Sequence, residues 1–91
     1  MKEAVIVEAV RSALGKRNGG FAATHSIDLL GAVHAELIAR SGIDPSAVGQ
    51  VIGGCVGQVG MQTSNVTRNA WLTAGLPVGV AATTVDAQCG S

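Results

Sequence analysis

Apolar positions alternate between two kinds of pattern along this chain. Ala4-Val5-Ile6-Val7 is a short β-branched run and predicts a buried strand continued to about Val10. Arg11 to Ala23 is polar and carries Gly15, Gly19 and Gly20, which marks a loop. Ile27, Leu30, Val33, Leu37 and Ile38 then recur at helical spacing. Ser26 is the expected N-cap of that helix, and Asp28 lies in its first turn, facing the positive end of the helix dipole. Gly42 suits the left-handed position that ends it near Ser41.

Asp44-Pro45 predicts a cap followed by a short helix. Val51-Ile52 and Cys55-Val56 flank Gly53-Gly54, a pattern for a second strand with close backbone contacts. A flexible loop, residues 57–62, follows. A second helix is expected from Ser64 or Asn65 to Ala74, ended by Gly75 and kept from resuming by Pro77. Val80 to Val85, rich in valine and threonine, predicts a third strand. The order is β-α-β-α-β, which favours a mostly parallel sheet covered on both faces by helices. A sheet three strands wide leaves edges unpaired and helix faces uncovered, so residues 1–91 are expected to belong to a larger domain.

Composition sharpens this picture. Hydrophobic residues make up 47% of the chain and charged residues 13%, which argues for a buried core and against disorder. Phe21 and Trp71 are the aromatics, and Trp71 is most simply a core or interface anchor. The formal net charge is zero, and no basic run exceeds Lys16-Arg17, so nothing points to nucleic acid or an anionic membrane. No signal peptide or membrane-length apolar segment is visible. Cys55 and Cys89 stand far apart in an apolar chain, without metal-ligand spacing. The expectation is a reduced, cytoplasmic protein with no metal site.

The segment from Thr83 to Ser91 carries the chemistry. An apolar strand ends in a tight turn, and Cys89 stands where a helix would begin. Unpaired N–H groups and a helix dipole there favour a thiolate and can serve an oxyanion. A buried, inert thiol is the alternative, and position alone does not choose between them.

Asp86-Ala87-Gln88-Cys89-Gly90-Ser91 resembles the segment around the acylated cysteine of thiolases. Glu8 to Lys16 is similar to that family's opening strand and Arg-Thr/Ser-Pro-x-Gly-Lys loop, with Ala13 where proline is usual. Gly53 to Gln58 resembles its Gly-x-Val-x-Gln strand end. Asn65-Val66-Thr67-Arg68 and Ala74-Gly75-Leu76-Pro77 resemble its Asn-x-x-Arg helix and the exit from that helix. The matches come in family order and span nearly the whole chain.

The resemblance implies an α/β, thiolase-like βαβαβ fold, the first part of the N-terminal thiolase domain, with a mostly parallel mixed sheet. It implies acyl transfer through Cys89, whose backbone N–H is a candidate oxyanion donor. Coenzyme A and acyl-CoA would be substrates, with no permanently bound cofactor. The partners it implies are the remainder of the same polypeptide and further copies, as a homodimer or homotetramer, with Val80 to Val85 pairing across the two-fold axis. The family's catalytic histidine and second cysteine lie in Gly-His-Pro and Cys-x-Gly motifs, and neither occurs in residues 1–91. Cys55 is accordingly expected to be a packed strand residue. His25 and His34 are expected on the surface or lining a helix, and Asn65 and Arg68 in a structural role. Arg11, Lys16 and Arg17 are expected to be solvated or salt-bridged. The alternatives are a non-catalytic thiolase-like subunit that binds acyl-CoA and a decarboxylating ketoacyl synthase. In the latter the cysteine segment usually reads Ala-Cys-Ser, unlike Gln88-Cys89-Gly90.

Overall fold

The first regular element is the helix α1, Ser26–Ser41, in a computed structural model that describes residues 2–91. It ends as the sequence requires: Gly42 adopts φ 70° and donates its N–H to the Ile38 carbonyl. Its start lies one residue earlier than expected. His25 is the N-cap, its Nδ1 accepting the Ile27 N–H at 3.2 Å. Ser26 instead turns its hydroxyl outward, donating to the Met61 carbonyl. An imidazole nitrogen can serve as cap acceptor as a carboxylate does, so the rule that favours serine missed it.

A one-turn 3-10 segment, Pro45–Ala47, follows, capped by Asp44, which accepts the Ser46 N–H at 2.9 Å. Then come β1 (Gln50–Gly54), α2 (Val66–Thr73) and β2 (Ala81–Val85). The strands pair in parallel, from Gln50 opposite Ala81 to Gly54 opposite Val85, with α2 as the crossover. This is the α/β class that the alternating pattern predicts.

One expectation fails among the described residues. Residues 4–10 form no strand. A β-branched run becomes a strand only where a neighbour completes its ladder. Here Val5, Ile6 and Val7 are 73%, 90% and 66% exposed. Ile6, Val7 and Glu8 line a cleft of about 540 Å³ whose other walls are α1, Trp71 and the residues 50–52 of β1. The segment lies beside β1 without bonding to it. Within the described residues helices lie on one face of the pair. Val51, Gly53, Ala82 and Thr84 point toward α2, whereas Ile52 on the opposite face is 69% exposed.

The core sits where α2 meets α1 and the strands. Val66, Ala70, Trp71 and Val80 are its buried apolar members. Gly31 lets α1 approach closely, since a Cβ there would lie 3.0 Å from the Ala70 carbonyl oxygen. At the start of α2, Asn65 adopts φ 62°, a left-handed conformation that asparagine tolerates, and caps the helix through the Arg68 N–H. Its amide also donates to the Ala82 carbonyl at 3.0 Å and its oxygen accepts the Thr84 hydroxyl at 2.7 Å. Thr84 Oγ1 accepts the Thr67 N–H and lies 2.8 Å from Thr67 Oγ1. The Arg68 guanidinium donates to the Val78 and Val80 carbonyls. These bonds seal the helix end onto the strand that leads to Cys89.

Candidate active site

β2 ends at Val85, and the chain turns at once. The Asp86 carboxylate accepts the Gln88 N–H at 2.9 Å, a short loop that supports Gln88 at φ 49°. A left-handed glutamine is uncommon and is held only where its surroundings fix it. Residues Gln88–Gly90 form a single 3-10 turn with Cys89 at its centre. The Gly90 N–H bonds to the Ala87 carbonyl and the Ser91 N–H to the Gln88 carbonyl, each at 3.0 Å. The Ser91 hydroxyl donates to that same Gln88 oxygen at 2.6 Å. The N–H of Cys89 has no acceptor among the described residues, while those of Gln88, Gly90 and Ser91 are taken up inside the turn.

Within the described residues Cys89 is a free thiol and exposed. The accessible polar group beside the sulfur is the Cys89 N–H.

Cys55 lies at the same end of the strand pair but in different surroundings. Its N–H extends the ladder to the Val85 carbonyl at 3.0 Å. Its sulfur is half-buried and receives the Gln62 amide at 3.4 Å, while Gln62 also donates to the Gly57 carbonyl at 2.6 Å. Cys55 is half-buried in the turn just past β1 and not in the strand where it was expected, because β1 ends at Gly54.

The other candidates do not converge on Cys89. Asn65 and Arg68 hold α2 to β2. His25 caps α1. Arg11, Lys16 and Arg17 are exposed, and Arg11 makes only a local bond to the Ser12 carbonyl. His34 is buried deeper than a helix-lining residue. Its ring packs T-shaped against Trp71 at 5.7 Å, and its Nδ1 has no partner among the described residues.

Burial pushes the His34 pKa below its ordinary 6.5. The folded state therefore binds fewer protons than the unfolded chain just below that pH. This contribution to stability is fully present above pH 6.5 and is lost as pH falls through the lowered folded value. Denaturant midpoints measured downward from pH 7 are expected to fall in that window, and His34→Leu should flatten the slope. An unchanged slope in the variant would assign the effect to other groups.

Asp86 supports the turn without having been expected to, although an Asp two residues before a left-handed position is a recognisable signal. Thr84 carries no such signal, because its role depends on a pairing seventeen residues back to Thr67.

Comparison with known proteins bears on the whole arrangement. Residues 4–91 match the family model described as thiolase, N-terminal domain. The chain is 48% identical over 91 residues to the steroid 3-ketoacyl-CoA thiolase FadA6 of Mycobacterium tuberculosis, covering 100% of this chain and 22% of that protein. It is 46% identical over 92 residues to the beta-ketoadipyl-CoA thiolase of Acinetobacter baylyi, covering 100% of this chain and 23% of that protein. The crystal structure of the Bacillus anthracis acetyl-CoA acetyltransferase superposes with a TM-score of 0.88 at 36% identity, over 96% of this chain and 22% of that one. The chain thus spans about a quarter of the length of the relatives it matches.

Proposed function

Because the chain belongs to the thiolase family, we propose that residues 1–91 are the first part of an N-terminal thiolase domain whose nucleophile is Cys89. The observation that carries this reading is the exposed thiol at the centre of the turn after β2, in a chain that matches the family domain along residues 4–91.

In the degradative direction, the Cys89 thiolate attacks the C3 keto carbon of a 3-ketoacyl-CoA. Electrons move onto the carbonyl oxygen, which the Cys89 N–H is placed to receive. The oxyanion collapses and the C2–C3 bond breaks. Its electron pair stays on C2, which takes a proton, and acetyl-CoA leaves. The shortened acyl group remains on sulfur until the thiolate of coenzyme A attacks it and regenerates Cys89. In the synthetic direction Cys89 is acetylated first and a second acetyl-CoA supplies the carbon nucleophile. A thiol suits both halves, being a strong nucleophile and a good leaving group.

The base for the thiol and the acid for C2 are assigned to groups outside residues 1–91, since His25 is a cap and His34 is buried against Trp71. Coenzyme A and its acyl thioesters are substrates, and no resident cofactor enters the scheme. A reducing, cytoplasmic setting fits a free, exposed nucleophilic thiol. Among the described residues no helix is long and apolar enough to cross a membrane. The partners are the remainder of the polypeptide and a second copy, in a homodimer or homotetramer.

The test is a thiolysis assay on the complete protein with a 3-ketoacyl-CoA and coenzyme A. Turnover to acetyl-CoA and a shortened acyl-CoA is expected. Binding of acyl-CoA without turnover would favour the non-catalytic subunit instead.

A further inference from the structure

Gly54 closes β1 opposite Val85, on the strand face that α2 does not cover. The turn after β2 folds back onto this residue. A Cβ built on Gly54 would overlap the Ser91 carbonyl oxygen, lie 2.6 Å from its carbonyl carbon and 3.1 Å from its Cβ. The obstacle is mostly backbone, so no side-chain rotation relieves it. Gly54 is not among the residues with positive φ, and its backbone would accept an L side chain. Space alone therefore demands glycine here.

Ser91 cannot move independently of Cys89. Its N–H and its hydroxyl both bond to the Gln88 carbonyl, closing the turn that has Cys89 at its centre. Pushing Ser91 off the strand end therefore rotates the turn and re-aims both the Cys89 sulfur and its N–H. The neighbouring glycine provides a contrast. A Cβ on Gly53 would meet the Thr67 side chain, 2.9 Å from Cγ2 and 3.0 Å from Cβ. That is the sealed end of α2, on the opposite face of the strand.

We propose that Gly54 is a positioning residue for Cys89: its missing side chain is the seat on which the nucleophile turn rests. The inference rests on Cys89 being the nucleophile. It predicts that two adjacent glycines, equally tight, fail in different ways. Gly54→Ala spoils the chemistry with little loss of fold, whereas Gly53→Ala spoils the fold more than the chemistry.

The experiment uses the complete protein. Acetyl-CoA is mixed with wild type, Gly54→Ala and Gly53→Ala. Acetyl groups on the peptide containing Cys89 are followed by mass spectrometry under single-turnover conditions, alongside steady-state thiolysis and thermal unfolding. Gly54→Ala is expected to slow acetylation of Cys89 and kcat by about a hundredfold, the scale of a displacement near 1 Å. Its KM for coenzyme A should stay within about twofold, and its unfolding transition should stay close to that of wild type. Folded Gly53→Ala should acetylate Cys89 at close to the wild-type rate while melting earlier. Equal acetylation rates in Gly54→Ala and wild type would overturn the proposal. So would failure of Gly54→Ala to fold, since the glycine would then serve the fold and not the turn. If wild type turns over without an acetyl group ever appearing on Cys89, the nucleophile assignment itself fails, an outcome distinct from either of these.

Discussion

Replacing Cys89 with alanine is expected to abolish thiolysis while leaving the fold in place. The thiol is exposed and makes no packing contact on which the core depends, so its loss should cost little stability. With Cys89 as the proposed nucleophile, its chemical loss is total, because no other group in the turn can hold an acyl thioester. Cys55 cannot substitute, being half-buried and bonded to Gln62 across the 55–62 turn. Removing a nucleophile that acts as one unit with its base lowers kcat by roughly a thousandfold or more. Thiolysis by the Cys89→Ala protein, with circular dichroism to confirm folding, checks this. Near-normal turnover would move the nucleophile elsewhere.

The largest effect on stability is expected from Trp71→Ala. The indole is 2% exposed, the most buried large side chain in the core. Its Nε1 donates to the Pro77 carbonyl at 2.8 Å, tying α2 to the segment that leads into β2. Its ring packs T-shaped against that of His34 on α1. Truncation leaves a cavity, a Pro77 carbonyl that keeps only the Val80 N–H, and a loosened contact between the helices. A loss of about 3–5 kcal/mol is expected for removal of so large a buried aromatic. Trp71→Phe keeps most of the volume and gives up the hydrogen bond, so about 1–2 kcal/mol is expected there. Urea midpoints of the complete protein, at matched concentration, measure both. Losses below about 1 kcal/mol for Trp71→Ala would mean that Trp71 is not the hinge of this core.

The local elements were legible in the sequence wherever one residue carries its own signal. Gly42 and Gly75 mark helix ends because left-handed backbone costs them least, and both have positive φ. Asp44-Pro45 announces its cap. Gly53 and Gly54 announce close contacts, though not what they touch. The run from residue 4 to residue 10 misled because β-branching states only a preference, while a strand needs a partner. His34 misled in the opposite direction. Its neighbours suggest a helix flank, but Gly31, one turn earlier, brings α2 close enough to cover it. The Asn65–Thr67–Thr84 bonds were invisible because each joins residues that the fold, not the spacing, brings together. Around Cys89, the end of the strand before it and the family motif were legible. The turn around it, with Asp86 and left-handed Gln88, was not.

The family reaction stands or falls on one covalent bond. The complete protein is incubated with acetyl-CoA, quenched in acid and digested, and the peptides bearing Cys55 and Cys89 are weighed. The account predicts an acetyl group on Cys89, removed when coenzyme A is added, and none on Cys55. Acetylation of Cys55 in preference to Cys89, or thiolysis without any adduct on Cys89, would contradict it.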